Sequence, residues 1–212
     1  MPSSSTLRFA ERGVCAVPAI GDNRESMVPV GYLYKKVSSR PDWLNAGQVA
    51  DVYSLSGHVS DDFADYIPHW RHNGFWLFDS PEVLESVAAK LSIDLTGHSL
   101  FFYEAYEQEF DEETRSWSPF QPEASFATRV RLPASKRLEG YDVVTFSCRT
   151  SPECSPLSCN SLAEKIAVNR HCLLDSFEEA KRSLEAGSFD HSEPGPFRIF
   201  AVYSVARASP PS

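Results

Sequence analysis

The chain has 212 residues, 42% of them hydrophobic, and its fourteen Phe, eight Tyr and four Trp give ample material for a core. Twenty Lys and Arg against 29 Asp and Glu leave a formal charge of −9, which argues against duplex nucleic acid or an anionic membrane as the main partner, since both need clustered cations. No run approaches the roughly 20 apolar residues that a membrane span needs.

Residues 1–27, rich in Ser, Pro, Gly and charge, read as a flexible N-terminal arm. The apolar stretch at 14–20 lacks a basic region leading into it, so no signal peptide is expected and the location is expected to be cytoplasmic. Five cysteines form an odd set and are read as thiols of a reducing compartment. No linker or internal repeat breaks 28–206, which is expected to be a single α+β domain; 207–212 is expected to be a disordered tail.

β-Branched and aromatic runs at 28–37 and 49–55 predict strands. A helix is expected from Ser60, with Phe63, Ile67 and Trp70 on one face until Pro68 kinks or ends it. The following stretch "HWRHNGFW" (69–76) supplies Trp70, His72 and Trp76, residue types that make binding hot spots. Its histidines, His69 and His72, could also meet a metal with Asp65 or His58, or the aromatic rings could simply anchor the core.

The next helix starts at Ser80 and Pro81, and Val83, Leu84, Val87, Ala88 and Leu91 form its apolar stripe. A long aromatic strand over 99–110 runs into Glu104, Glu107, Glu109, Asp111, Glu112 and Glu113, with no basic residue between 103 and 113. Two readings fit those carboxylates. They pair across strands with Arg129, Arg131, Lys136 and Arg137, or Glu107, Glu109, Asp111 and Glu112 form an acidic edge for a basic protein partner.

Further strands are predicted at 125–132 and 141–148, a helix at 156–168, and a short strand at "HCLL" (171–174). A last helix starts at the Ser176–Glu179 capping box and stops at Gly187. The apolar run 196–205 belongs in the middle of the sheet. The sum is an α+β fold: a mixed, mostly antiparallel sheet with about four helices packed on it.

"SPECSPLSCNSLAEKI" (151–166) is the one stretch with reactive chemistry. With Ser155 as cap and Pro156 first in the helix, Cys154 lies just outside a helix N-terminus, where free amides favour an anion; Cys159 lies one turn on. Three readings follow: a nucleophilic thiol, Cys154 or Cys159, with His171 or His72 as base; a metal centre of Cys154, Cys159, His171 and Cys172; or cysteines acting as small buried hydrophobes. The C-x4-C spacing fits no common zinc pattern, so no metal is expected.

No phosphate loop, nucleophile elbow, H-E-x-x-H or dinucleotide fingerprint occurs, and no cofactor is expected. The leading expectation is an acidic cytosolic protein acting as a non-catalytic binding or partner-neutralising module. The alternative is a cysteine-dependent enzyme with a His base. The sequence leaves the oligomeric state open.

Overall fold

The computed structural model describes residues 27–55, 75, 77–120, 129–146 and 153–206. The first β-branched and aromatic run forms β1, Met27–Lys35, followed by the two-residue strands β2, Ser38–Ser39, and β3, Asp51–Val52. The strand predicted over 49–55 is therefore short. Its neighbours bond elsewhere: the Ala50 and Asp51 amides donate to Arg170 O and the Tyr53 amide to His171 O, fastening this segment to 170–171.

Helix α1, Pro81–Leu91, begins as its sequence predicts, with Ser80 extended and Pro81 in the first turn. Leu84 and Ala88 are buried, and Ser92 ends the helix in the left-handed region. The aromatic run becomes β4, Ser99–Tyr106, and β5, Gln108–Asp111, interrupted only at Glu107. Asp111 accepts the Thr114 amide at 2.8 Å to close a turn, and β6, Ser116–Pro119, folds back on β5. Then come β7, Arg137–Thr145; α2, Pro156–Cys159; a 3₁₀ turn, Leu162–Glu164; α3, Phe177–Glu185; and β8, Phe197–Val205.

Three expectations need correcting: residues 171–174 form no strand, and only Leu174 makes a bridge, to Tyr141. The helix predicted over 156–168 stops after one turn, because Ser161 takes φ 58° and the poor helix formers Ser158, Cys159 and Asn160 offer little propensity to oppose it. Residues 129–132 form no strand: the Arg131 amide bonds Asp79 O, and its guanidinium pairs with Glu82 of α1. Three α-helices stand among the described residues, against about four expected; the helix expected from Ser60 lies outside those residues.

β8 occupies the centre of the larger sheet, between β4 and β7, as its continuous apolar sequence requires. β1 pairs with β4, β5 meets β8 at Phe110 and Phe197, and every pairing among the described residues is antiparallel. This is an α+β architecture. Among the described residues no helix is long and apolar enough to cross a membrane.

Opposed residues of antiparallel strands share a face, so the register divides the side chains into two sets. One face carries Tyr34, Phe102, Tyr141 and Tyr106 beneath the helices: Tyr34 bonds Glu85 of α1, while Tyr106 and Tyr141 meet Phe177 of α3 edge-on. The other face carries Lys35, Phe101, Tyr103, Asp142, Val144, Phe200 and Arg198. The segment around residues 53–55 and the short helix α2 with its cap cover it, with Tyr53 set edge-on to Phe101. Glycine is required where other segments cross a strand edge. Gly140 has φ 146°, and a Cβ there would stand 2.7 Å from Leu174 O; Gly31 has φ 133° and the same 2.7 Å approach to Phe78 O.

Candidate functional site

The second face holds an enclosed set of charged groups. Asp142 is 0% exposed and Lys35 9%, and they belong to strands separated by β4 and β8. Asp142 Oδ2 accepts the Leu55 amide and the Ser155 hydroxyl, each at 2.7 Å, so one carboxylate ties both covering segments to β7. Lys35 Nζ donates to Ser54 O, and the Ser54 and Ser158 hydroxyls meet at 2.8 Å. Burial raises Asp142 from 3.8 to about 7 and lowers Lys35 from 10.5 to about 8, because each charged form has lost its water. Asp142 Oδ1 and the Tyr103 hydroxyl are both buried without a hydrogen-bond partner among the described residues.

Arg198 forms a separate centre on the same face. Its guanidinium carbon lies 3.5 Å from the Phe120 ring centroid and 4.9 Å from that of Phe75, and Phe146 and Phe200 also flank it. Burial lowers its pKa to about 9, opposed by the charge of Glu109. The rings thus stand where water would otherwise solvate the cation.

The cysteine stretch folds around Asn160. Cys154 is half-buried, Cys159 is exposed, Cys172 is buried, and none of the three is in a disulfide. The Cys154 Sγ–H donates to Asn160 Oδ1 at 3.3 Å, and Asn160 Nδ2 donates to Ser192 O and Glu193 Oε1, both at 3.0 Å. The hydrogen-bonded Cys159 thiol, burial, and the charges of Cys159, Glu193 and Asp142 raise the Cys154 thiol above its ordinary value. That shift runs opposite to the lowering expected at a helix end, since a helix of four residues has almost no dipole to offer.

His171 makes its contacts elsewhere. It stacks on Tyr53 with centroids 4.0 Å apart, and its ring nitrogens face Asp51 at 3.8 Å and Glu139 at 3.7 Å. Burial lowers its pKa. Burial also pushes the Cys172 thiol up to about 12. Among the described residues no three His, Cys, Asp or Glu side chains gather as metal ligands.

The acidic row is divided. Glu107 and Glu113 are exposed, and Asp111 and Glu112 half-buried, whereas Glu109 lies inside at 6% exposure, near Arg198. Glu104 pairs with Lys136, and Arg137 with Glu139 of its own strand. Around the β5–β6 turn, Glu112 accepts the Gly195 amide at 3.3 Å, Arg115 pairs with Asp190 at 2.8 Å, and Trp117 Nε1 donates to Glu185 at 2.9 Å. These contacts bring Glu185 and Asp190 against the β5–β6 hairpin, whose turn carries Asp111, Glu112 and Glu113, with Arg115 and Lys181 as nearby cations. Trp70, His72 and Trp76 lie outside the described residues.

Lys35, Asp142 and Arg198 escaped the sequence reading. Their signal was available: each is a charge set in a strand run of otherwise apolar residues, "YLYK", "YDVV" and "FRIF", where burial demands a partner. Comparison with protein-family models, with curated proteins and with solved structures finds no significant match.

Proposed function

We propose that this protein is a non-catalytic, acidic binding module that takes a basic protein partner on the surface formed by the β5–β6 hairpin, the end of α3 and the 190–195 loop. The observation that carries this reading is the gathering of carboxylates from three chain segments onto that surface, held by the Glu112–Gly195, Arg115–Asp190 and Trp117–Glu185 contacts. Charge of one sign on a positioned surface speeds encounter with an opposite charge and disfavours wrong partners. β6 ends the strand order at this place.

The buried charges support the same reading from the other direction. Asp142 and Lys35 are used to fasten covering segments to the sheet, and a group so enclosed cannot meet a macromolecular substrate. To test the proposal, Glu112 and Glu113 are changed together to Lys, and both proteins are used to capture partners from the native host. The expected result is loss of basic proteins held by the wild type, with Cys154→Ser and Cys159→Ser capturing normally. Equal capture by the charge-reversed variant overturns the proposal.

A further inference from the structure

Cys154 and Cys159 flank a single turn of helix with their side chains in hydrogen-bond contact, one half-buried and one exposed. Cys154 precedes α2 and Cys159 ends it, so the single turn of helix folds the two sulfurs together. The Cys159 amide bonds Ser155 O at 2.9 Å, which fixes that turn.

We propose that Cys154 and Cys159 form a redox-active pair, which a hydroperoxide converts into an intrachain disulfide and a small thiol returns to the reduced state. Their roles differ because their surroundings differ. Cys159 is the residue that solvent reaches. Cys154, with its thiol bonded to Asn160 Oδ1, stands beside it as the resolving partner.

The chemistry balances in two steps. The Cys159 thiolate attacks one oxygen of the hydroperoxide; an S–O bond forms, the O–O bond breaks, and the departing alkoxide takes a proton to leave as alcohol. The Cys154 sulfur then attacks the Cys159 sulfenic acid; the S–S bond forms, the S–O bond breaks, and the hydroxide leaves as water with the proton of Cys154. The dithiol gives up two electrons and the peroxide bond receives them. Two equivalents of an external thiol reverse the change through a mixed disulfide.

A local consequence follows from Asn160. Oxidation removes the Cys154 S–H that donates to Asn160 Oδ1, while the Asn160 amide is the group that holds Ser192 O and Glu193. The disulfide itself does not depend on the partner reading, and its test is separate.

The full-length folded protein is treated with hydrogen peroxide, alkylated under denaturing conditions and mapped by peptide mass spectrometry. The expected product is one peptide pair joined through Cys154 and Cys159, lighter by two hydrogens and restored by dithiothreitol. Cys154→Ser is expected to stop at a Cys159 sulfenic acid that dimedone traps. Cys159→Ser is expected to slow oxidation of Cys154 at least about tenfold, since half-buried Cys154 must then meet the peroxide itself in place of exposed Cys159. Cys159 accumulating as sulfinic acid in the wild type while Cys154 stays alkylatable would overturn the proposal, and so would a Cys154 oxidation rate unchanged by Cys159→Ser.

Discussion

The Ser155 hydroxyl donates to Asp142 Oδ2 across 2.7 Å, and both residues are 0% exposed. The same oxygen receives the Leu55 amide, so segments on either side of 100 residues of chain meet on one buried carboxylate of β7. Charge on a group so deeply enclosed is costly, and that cost makes the site testable.

Asp142→Ala leaves the Leu55 amide and the Ser155 hydroxyl buried without an acceptor. Each lost partner costs roughly 1–3 kcal/mol, so a destabilisation of about 3 kcal/mol is expected in urea unfolding. Asp142→Asn retains a carbonyl oxygen that can accept both bonds, and is expected to cost about 1 kcal/mol. A larger loss for Asn than for Ala would contradict the assignment of that oxygen.

The pH dependence follows from the directions of the two shifts. Asp142 is raised from 3.8 to about 7, so between those values the folded chain holds a proton that the unfolded chain has released. Stability from this group is therefore lost as pH rises from about 4 to 7. Lys35 is lowered from 10.5 to about 8, so above 8 the unfolded chain holds the extra proton, and stability is regained as pH rises towards 10.5. Unfolding free energies measured from pH 4 to 10 should show this contribution lowest between 7 and 8. Asp142→Asn should flatten the acid limb and Lys35→Met the alkaline one.

Gly140→Ala tests how the edge of β7 is covered. The added Cβ would lie 2.7 Å from Leu174 O and 2.8 Å from Leu173 Cβ, on a residue with φ 146°. Neither backbone oxygen nor buried Leu173 can yield cheaply, and a loss of about 3 kcal/mol or more is expected. Hydrogen exchange should locate it: the Tyr141 and Leu174 amides, which bond each other's carbonyls, should lose protection first.

What the sequence revealed was what local chemistry decides. Ser80–Pro81 and the Ser176–Glu179 box announce α1 and α3 because caps act within one turn, and the Glu179 amide does bond Ser176 Oγ at 3.2 Å. The run 196–205 announces a central strand because only burial on both faces suits it. Elements decided by distant partners were not legible. Residues 160–161 turn away from a helix towards Ser192 and Glu193, and Arg131 leaves its expected strand for Asp79 and Glu82.

The charged groups divide in the same way. Glu109 shares its strand face with Phe101 and Tyr103, an alternation visible in the sequence, but its burial near Arg198 depends on β5 meeting β8. The cysteines show the limit of motif reading. The spacing of Cys154 and Cys159 suggested a helix-end thiol, whereas their mutual contact depends on where the helix stops.

The most direct measurement of the central claim is the dissociation constant of a basic protein captured by the wild type, compared with that of the Glu112→Lys, Glu113→Lys variant across a salt series. The account expects binding to weaken at least about tenfold on charge reversal, and wild-type binding to weaken as salt screens the acidic surface. An affinity that neither the substitutions nor salt alters would contradict it.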